Sequence, residues 1–487
     1  MASNWRLFVG IDLGTQGVRA LAVSETGEVV AQASAALDPA ILTPRQDRHE
    51  QPPQAWWEAV CQCTAALMER LRLSGVRDER LAALAVDGTS GTLVALDAAG
   101  NPLRPAMMYN DPRAKAEADQ LNQAAADYCQ KAGYQFNASF ALAKIAYLAA
   151  HEPQTVARTA HFVHQADYIA GCLTGELGIS DYSNALKTGY DLIDQRWPEW
   201  IGRLLGLDDR LPRVVAPGEP IGAVSATAAE QTRLPRGIIV VAGATDGTAA
   251  FLASGARRPG DYNTTLGTTM VFKGVSQRIC RHAKGLVYCH RLPGGLWLPG
   301  AASNTGCQWI DVLFAEADRT ALDAAAARLL PTNSIAYPLV RVGERFPFLC
   351  DKAEGFFVSM PDNPAERYAA CLQGVALLER LAYDVLDGVA MTSGGEVFST
   401  GGGSRSDTWM QCRADVTGRV VHRPACPESA FGAAVLAAAG SYYGDLSEAI
   451  RAMVHLERTF LPDNAKADPY SHLYGQFRAQ LTARGYC

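Results

Sequence analysis

The residues of this chain best suited to chemistry come at the end of its first apolar run. Phe8–Ile11 leads to an acid, Asp12, and a turn of small residues, Gly14-Thr15-Gln16-Gly17, follows directly. Backbone N–H groups exposed by such a turn can bind phosphate oxygens, and a carboxylate at a strand end can hold a metal ion. The pattern is also typical of an ordinary hairpin turn, because Gly and Asp favour turns for conformational reasons.

A second turn of the same kind lies about half a chain further on. Tyr262–Thr265 is an extended run, Leu266-Gly267-Thr268 turns, and Met270–Lys273 leads out again. Two similar hairpins at this separation predict two related halves that face one cleft. A third apolar segment, Gly237–Ala244, also ends close to an acid, Asp246.

The elements around these residues alternate between strands and helices. The sequence predicts a three-stranded meander over 6–35, a helix from Ala55 to about Leu73, a buried strand Arg80–Asp87, a long helix Ala365–Val389 and a strand Glu396–Ser399 that runs into Gly401-Gly402-Gly403. This alternation predicts the α/β class.

Length and composition limit the kind of protein this can be. With 487 residues the chain is too long for one ordinary core, so we expect two domains, 1–254 and 255–487. An apolar content of 48% with 19% charged residues is typical of a soluble globular protein. The net charge of −6 argues against a nucleic-acid-binding protein, which would carry a basic face.

Membrane association and secretion are not expected either. The longest apolar runs are far short of a membrane span, and Asp12 interrupts the N-terminal run before a signal-peptide core is complete. The twelve cysteines are scattered, mostly in apolar stretches, which predicts reduced, buried thiols. We therefore expect a cytoplasmic protein.

Several familiar catalytic motifs are missing from the sequence. There is no Gly-x4-Gly-Lys-Ser/Thr loop and no Gly-x-Gly-x-x-Gly after a strand, so neither a P-loop NTPase nor a dinucleotide enzyme is predicted. Gly88-Thr89-Ser90-Gly91 is one residue short of the nucleophile elbow of serine hydrolases.

Four motifs together resemble those of the FGGY carbohydrate kinases, in the same order and over nearly the whole chain. They are Asp12-Leu13-Gly14-Thr15, Gly243-Ala244-Thr245-Asp246-Gly247, Leu266-Gly267-Thr268 and Gly401-Gly402-Gly403-Ser404. The resemblance implies two actin-like, RNase-H-type α/β domains with a deep cleft between them. It also implies that the N-terminal domain binds the sugar and the C-terminal domain binds the nucleotide.

The resemblance further implies ATP and Mg²⁺ as cofactors, a small sugar as substrate, and a role for each motif residue. Asp246 is expected to be the catalytic base, and Asp12 to position Mg²⁺ through bound water. The expected nucleotide-binding residues are Asp12, Gly14, Thr15, Gly267, Thr268, Gly402, Gly403, Ser406 and Trp409, and the expected sugar-binding residues are Thr15, Ser90 and Asp246. For Trp409, plain core packing remains an alternative.

The loop Asp87–Thr92 is the main indication of the substrate, because three hydroxyls and two glycines suit a polyol. Xylulokinases usually carry Met-His-Gly here. Together with Tyr109-Asn110, Asp181–Lys187 and Gly343–Pro347, the loop makes the chain look most like the D-ribulose kinases of the family. We therefore expect D-ribulose as substrate, with a xylulokinase or another polyol kinase as the alternative.

The sequence leaves a non-enzymatic function open as well. An actin- or Hsp70-like ATPase switch that binds a protein partner is the alternative from this different functional class, although no appended peptide-binding domain is evident. Asp181 and Lys187 could lie on a solvated helix face or contact the sugar, Gln16 has no assigned role, and His49-Glu50-Gln51 is expected to be structural. Either a monomer or a homodimer is compatible with the sequence.

Overall fold

A computed structural model describes residues 5–41, 47–282, 284–390, 392 and 394–487. The chain forms two compact units and crosses between them more than once. Unit 1 comprises Met1–Ala253, His290–Gly295 and Cys426–Val454, and unit 2 comprises Ser254–Cys289, Leu296–Ala425 and His455–Cys487.

The strands of the described residues are, in chain order, β1 Leu7–Leu13, β2 Gly17–Ser24, β3 Val29–Ala36, β4 Glu50–Gln51, β5 Leu81–Gly88, β6 Leu93–Leu96, β7 Ala106–Met107, β8 His161–His164, β9 Ile179–Asp181, β10 Arg213–Val215, β11 Pro220–Ala223, β12 Ile239–Thr245, β13 Tyr262–Leu266, β14 Met270–Gly274, β15 Tyr288–Arg291, β16 Trp297–Ser303, β17 Ala336–Tyr337, β18 Phe356–Phe357, β19 Val397–Thr400, β20 Val421–Pro424 and β21 Leu456–Phe460.

The α-helices are α1 Pro53–Leu73, α2 Lys115–Ala124, α3 Ala126–Ala132, α4 Ala141–His151, α5 Pro153–Arg158, α6 Gln165–Thr174, α7 Tyr182–Ala185, α8 Glu199–Leu205, α9 Ala226–Thr232, α10 Asp246–Leu252, α11 Gln308–Leu313, α12 Arg319–Leu329, α13 Pro364–Ala390, α14 Asp407–Thr417, α15 Ser429–Ala438, α16 Leu446–Met453 and α17 Ala467–Ala483. No helix in the described part of the chain has the length and apolar character that crossing a membrane requires.

The main sheet of unit 1 has the strand order β11-β12-β5-β1-β2-β3. Its centre is parallel, because β5 pairs in parallel with both β1 and β12. The pairs β1/β2, β2/β3 and β11/β12 are antiparallel. β1 is buried along almost its whole length, as expected for a strand with parallel neighbours and covered faces. The predicted N-terminal meander is confirmed.

The main sheet of unit 2 follows the same plan. Its strand order is β15-β16-β14-β13-β19-β20-β21, with β13/β19 and β19/β20 parallel. The pairs β13/β14, β14/β16 and β20/β21 are antiparallel. Strands β13, β14, β16, β19, β20 and β21 therefore take the places that β1, β2, β3, β5, β12 and β11 take in unit 1. This correspondence supports the prediction of two related halves.

Glycines allow the small-residue helix α15 to pack very close to its neighbours in unit 1. A Cβ atom at Gly10 would lie 1.7 Å from the carbonyl oxygen of Ala430, and one at Gly432 would lie 1.8 Å from that of Ala249. Both distances are far below van der Waals contact, so only glycine fits. Helix α15 therefore packs tightly against β1 and α10.

The core of unit 2 contains a buried ion pair between α13 and α14. The guanidinium of Arg413 donates from Nε and Nη2 to the two carboxylate oxygens of Glu379, both at 2.6 Å. The side chains are 0% and 1% exposed. The Tyr383 hydroxyl also donates to Glu379, at 2.7 Å. Such two-point pairing, with further hydrogen bonds, is what allows charges to be buried.

Candidate active site

Three acids lie at one edge of the unit 1 sheet. Asp12 of β1 and Asp87 of β5 are register partners on adjacent parallel strands. On the other side of β5, Thr245 of β12 pairs with Gly88, and Asp246 follows Thr245 in the chain. The carboxyl ends of parallel strands meet at one sheet edge, which is where α/β proteins bind ligands. The structure therefore brings together the predicted metal-binding acid and the predicted catalytic base, with a third acid between their strands.

Asp87 is the most unusual of the three acids. Its side chain is 0% exposed, and neither carboxylate oxygen accepts a hydrogen bond from a donor among the described residues. Burial raises the pKa of Asp87 well above its usual value, and the charges of Asp12 and Asp246 raise it further. Burial also raises the pKa of Asp12, while the neighbouring Asp87 carboxyl group and the charge of Arg19 oppose this rise.

The turn after Asp12 is closed by the backbone and supported from the side. The Gly14 N–H donates to the carbonyl oxygen of Gly17 at 3.0 Å. The Thr15 carbonyl accepts a hydrogen bond of 3.0 Å from Nε2 of Gln51, whose Oε1 accepts one of 2.8 Å from the indole of Trp56. These hydrogen bonds agree with the structural role expected for the loop around Gln51. Gln16 is exposed in this turn.

Asp246 lies where β12 passes directly into α10. The strand is held close to its neighbour at this point, since a Cβ atom at Gly243 would lie 1.7 Å from the carbonyl oxygen of Val86. The preceding residue is fixed as well: the Thr245 N–H donates to Oγ of Ser183 at 3.0 Å. The backbone that carries the predicted base is therefore anchored on both sides.

The predicted sugar loop follows Asp87. The backbone N–H and the hydroxyl of Thr89 both donate to Oε1 of Gln165, at 2.8 and 2.7 Å. The Gly91 carbonyl accepts a hydrogen bond of 2.9 Å from Nζ of Lys144. The Ser90 hydroxyl oxygen, in contrast, is buried without a partner among the described residues. The loop is thus well fixed, and the hydroxyl predicted to bind the sugar is the one that the chain leaves unpaired.

Asp181 caps a helix. Its carboxylate accepts the backbone N–H groups of Ser183 and Asn184 at the start of α7, and their side chains also donate to it. The side chain is 2% exposed, so Asp181 does not lie on a solvated helix face. Lys187, in the 3-10 turn Leu186–Thr188 that follows, is half-buried.

The second predicted phosphate hairpin is present in unit 2. Gly267–Thr269 connects β13 to β14, and the Gly267 N–H donates to the Thr269 carbonyl at 3.1 Å. The Gly267 carbonyl accepts from the N–H of Cys307 at 2.8 Å. Thr268 is exposed at the tip. The hairpin corresponds to the one after Asp12 because the flanking strands hold equivalent places in the two sheets.

The three glycines after β19 serve different purposes. Gly401 has a φ of 86°, a left-handed conformation that favours glycine. A Cβ atom at Gly403 would lie 2.9 Å from both Sγ of Cys307 and Cβ of Leu266, whereas one at Gly402 would meet nothing within 4 Å. Gly403 is therefore required for packing, and Gly402 is the position that a ligand can approach.

Ser406 and Trp409 both have structural partners. The Ser406 hydroxyl accepts from the Trp409 N–H at 2.9 Å as the N-cap of α14 and donates to Asp323 at 2.6 Å. The Trp409 side chain is 1% exposed, and its indole N–H donates to the Leu372 carbonyl at 3.1 Å. This environment is that of the core-packing alternative for Trp409.

Glu344, part of the Gly343–Pro347 motif, supports the unit 2 hairpin. Its buried carboxylate accepts from the hydroxyls of Ser303, Thr305 and Tyr337, each at 2.9 Å. Thr305 in turn accepts, through its carbonyl oxygen, the N–H of Met270 at the start of β14. In this structure the motif therefore contributes to the hairpin of unit 2.

The acids of unit 1 fit a magnesium ion that keeps its water. No group of three or more His, Cys, Asp and Glu side chains in the described ranges could together hold a metal ion. Asp12 and Asp87 do supply neighbouring carboxylates. Neither oxygen of the Asp87 carboxylate accepts a hydrogen bond from a described residue. Mg²⁺ binds through one or two carboxylates, several waters and substrate phosphates, so Asp12 with Asp87 matches its usual donor set.

Asp87 is the site residue that the motif reasoning did not assign. The signal was present in the sequence, because Asp87 follows an apolar segment just as Asp12 and Asp246 do. Three acids at the ends of three buried strands would have indicated a shared sheet edge.

Comparison with known proteins extends over both units. Residues 7–253 match the N-terminal domain of the FGGY family of carbohydrate kinases, and residues 262–441 match its C-terminal domain. These two matches contain every residue of the site described above.

Similar proteins cover nearly the full length of the chain. A xylulose kinase of Streptomyces rubiginosus is 33% identical over 449 residues, which are 90% of this chain and 88% of the relative. A xylulose kinase of Staphylococcus epidermidis is 26% identical over 98% of this chain and 97% of its own. The crystal structure of xylulose kinase from Rhodospirillum rubrum, 29% identical, superposes with a TM-score of 0.86 over 98% of this chain and 99% of that one.

Proposed function

Because the chain belongs to the FGGY family of carbohydrate kinases, we propose that it transfers the γ-phosphoryl group of ATP to a hydroxyl group of a ketopentose. The observation that carries the proposal is the alignment of Asp12, Asp87 and Asp246 at one edge of the unit 1 sheet. Phosphoryl transfer needs a base for the acceptor proton and charge neutralisation on the phosphates, and these acids can supply both.

In this mechanism Asp246 acts on the acceptor hydroxyl of the sugar. Its carboxylate takes the hydroxyl proton as the new bond forms between the sugar oxygen and the γ-phosphorus atom. The bond from that phosphorus atom to the β,γ-bridging oxygen breaks, and ADP leaves with the electron pair. The hydrogen bond between Thr245 and Ser183 helps to keep Asp246 in place, which matters because positioning supplies much of the rate in such reactions.

The nucleotide is held mainly by backbone groups in the proposal. The N–H groups of the turns at Gly14–Gly17 and Gly267–Thr269 are the proposed ligands of the phosphates, and Gly402 gives the nucleotide close access. Asp12, beside Asp87, would hold Mg²⁺ through bound water, and the bound ion would neutralise charge on the phosphates. Ser406 and Trp409 act through the fold, because their polar groups already have partners.

D-Xylulose is the sugar that we propose first. Relatives named xylulose kinase align with this chain along nearly its whole length, which favours a pentulose of that kind. D-Ribulose, expected from the sequence motifs, is the second candidate and is favoured by the loop Asp87–Thr92. The Gly343–Pro347 motif adds little to it, because the Glu344 carboxylate bonds only protein groups of unit 2.

A coupled assay of ADP release tests the proposal, with D-xylulose, D-ribulose, a pentitol and no sugar as parallel substrates. We expect release that depends on a pentulose, with kcat/KM at least about 10-fold higher for D-xylulose than for D-ribulose, because an unpaired buried hydroxyl is costly. A higher kcat/KM for D-ribulose than for D-xylulose would instead support D-ribulose as the substrate. ATP hydrolysis that ignores every sugar would contradict the kinase proposal and support an ATPase switch.

Ser90 is the residue with which to test where the sugar binds. Ser90→Ala removes the unpaired hydroxyl and should narrow the difference between the two pentuloses, while KM for ATP stays the same. Ser441→Ala removes a hydroxyl of the same unit that donates to the Ala437 carbonyl at 2.6 Å and serves as the control.

A further inference from the structure

Several buried polar atoms around the sugar loop have no hydrogen-bond partner among the described residues. They are both carboxylate oxygens of Asp87, Oγ of Ser90, Nε2 of Gln165 and Oδ1 of Asn184. Nearly all buried polar groups of native proteins are paired, so each exception needs an explanation. A group of exceptions with both donors and acceptors indicates a polar ligand, and a polyol matches it because every hydroxyl both donates and accepts.

The segments that carry these atoms are bonded to one another. Gln165 accepts both hydrogen bonds from Thr89, next to Ser90. Ser183, next to Asn184, accepts from the N–H of Thr245, next to Asp246. Segments that carry the unpaired atoms are therefore hydrogen-bonded to one another and to the segment that carries the proposed base.

Lys187 adds a cation to this group. Its side chain runs past the sugar loop, since a Cβ atom at Gly91 would lie 3.7 Å from Cγ of Lys187. Its Nζ lies 4.2 Å from the centroid of the Phe140 ring. Within the described part of the chain, no oxygen accepts a hydrogen bond from Nζ. The ammonium group has three N–H donors. Contact with an aromatic ring face alone leaves these donors without hydrogen-bond acceptors.

The neighbouring Lys144 shows the contrast. It is 0% exposed, and its Nζ donates to the Gly91 carbonyl at 2.9 Å. Lys144 thus supports the loop, whereas the N–H groups of the half-buried Lys187 ammonium donate to no oxygen of the described residues. The charge of Asp246 also acts favourably on the ammonium of Lys187, which places the two groups within electrostatic range of each other.

We propose that Lys187 is a substrate-binding residue whose ammonium group donates hydrogen bonds to an oxygen atom of the sugar, beside the Ser90 hydroxyl. The inference rests on the proposed kinase function and adds a cationic donor to its sugar site. Carbonyl and hydroxyl oxygens of an open-chain ketose are both acceptors for such a donor. Because hydrogen bonds to charged groups are stronger than neutral ones, losing this one should weaken sugar binding by roughly 10- to 100-fold.

The first test compares Lys187→Met with Lys187→Arg. Methionine keeps an apolar chain beside Phe140 and removes the ammonium group, so KM for the preferred pentulose should rise roughly 10- to 100-fold while KM for ATP changes less than about 2-fold. Arginine keeps the charge and should restore part of the affinity. Lys115→Met is the control, because Lys115 pairs with Asp119 at the surface. An unchanged sugar KM in Lys187→Met overturns the inference.

A second test uses the unaltered protein and does not depend on the variants folding. Lysines are methylated reductively with formaldehyde and cyanoborohydride, and peptide mass spectrometry measures the extent at Lys187. A saturating pentulose without ATP should protect Lys187 and leave Lys115 unaffected. Equal labelling with and without the sugar overturns the inference.

The two proposals can fail separately. A protein that phosphorylates no pentulose contradicts the proposed function, whatever the labelling shows. The protein could also be active while the sugar neither protects Lys187 from labelling nor requires Lys187 for a low KM. That result would support the proposed kinase function and contradict the role proposed for Lys187.

Discussion

Asp12 and Asp87 lie opposite each other on adjacent parallel strands, so that two carboxyl groups meet at one edge of the unit 1 sheet. Asp87 is fully buried and has no hydrogen-bond donor among the described residues. Such an arrangement does not favour stability, because like charges and burial both disfavour ionised carboxylates. Strongly perturbed carboxyl groups are enriched at functional sites.

Asp87→Asn should therefore stabilise the protein in the absence of Mg²⁺ and nucleotide. The folded-state pKa of Asp87 is raised by burial and by the charges of Asp12 and Asp246, so its ionisation is easier in the unfolded chain. Stability is thus lost as the pH rises from the unfolded pKa, about 3.9, towards the raised folded one. The Tm of Asp87→Asn should exceed that of the unaltered protein at pH 8, and the difference should shrink at pH 5.

Differential scanning calorimetry in EDTA measures this effect. Asp119→Asn, at a surface position paired with Lys115, provides the control and should change Tm little at either pH. A lower Tm for Asp87→Asn at pH 8 would show that the carboxylate stabilises the fold.

Asp246→Ala should remove most of the turnover without weakening nucleotide binding. The loss of a general base costs roughly 10²- to 10⁴-fold in rate, whereas the proposed nucleotide ligands are backbone groups elsewhere. Steady-state kinetics combined with calorimetric titration of ATP separates the two effects. Near-normal turnover would exclude Asp246 from the chemical step.

The adjacent glycines Gly402 and Gly403 should respond differently to alanine. Gly403→Ala forces a Cβ atom against Cys307 and Leu266, both at 2.9 Å, and should lower Tm. Gly402→Ala has open space and should leave Tm unchanged, but it should raise KM for ATP because the nucleotide loses close access. Thermal denaturation and kinetics with varied ATP test the pair; equal KM values for ATP would remove Gly402 from the nucleotide site.

Removing one partner of the buried pair Arg413–Glu379 should destabilise unit 2 much more than breaking an exposed pair. Arg413→Met leaves the Glu379 charge buried without its partner, which costs about 3–5 kcal/mol of unfolding free energy. Arg319→Met breaks an exposed pair with Asp311 and should cost less than about 1 kcal/mol. Urea unfolding measures both. Similar losses for the two variants would mean that the buried pair adds nothing beyond a surface pair.

Sugar affinity should fall at alkaline pH if Lys187 binds the sugar as a cation. Burial lowers the pKa of Lys187 to about 8, against the favourable charge of Asp246. The ammonium form therefore predominates below that pH and is lost above it, so KM for the pentulose should rise between pH 7 and pH 9. A KM that is constant over this range would contradict a cationic contact.

Lys187→Arg identifies the group that titrates. Arginine stays charged throughout the range, so KM should become independent of pH in this variant. Other groups around the sugar loop also titrate. Burial lowers the pKa of Lys144 to about 7, raises that of Asp167 to about 8 and raises that of Asp87 well above its usual value. A pH dependence that persists in Lys187→Arg would point to one of these three groups, since burial lowers the pKa of His164 to about 3 and leaves it neutral over the whole range.

Much of the local structure follows from the sequence alone. The strands that end near Asp12, Asp87 and Asp246 are continuous apolar segments, and the turns at Gly14 and Gly267 have typical hairpin composition. Runs of apolar residues and turn chemistry act over a few residues, so the class of the fold could be predicted before any packing was known. The role expected for Asp246 came instead from the resemblance to the FGGY carbohydrate kinases.

Side-chain environments required the tertiary structure. Trp409 lies three residues after Ser406, a spacing that placed both beside the expected nucleotide loop. In the structure its ring is buried against α13, and its indole N–H donates to the Leu372 carbonyl. From the sequence, Asp181 could lie on a solvated helix face or contact the sugar, yet its side chain is buried and caps the helix α7. Whether a polar or aromatic residue faces a ligand or the core depends on partners far away in sequence, which no local pattern contains.

The α/β class, the paired hairpins and the acids at the strand ends can be inferred from the amino-acid sequence, because these features depend on local periodicity and turn preference. Three other features emerge only in the folded chain: Asp87 lies beside Asp12, residues 426–454 belong to unit 1, and Nζ of Lys187 has no hydrogen-bond acceptor in the described part of the chain. These facts depend on strand register and on contacts between segments up to hundreds of residues apart. Burial and pairing are properties of the assembled core, so they arise only when those segments meet.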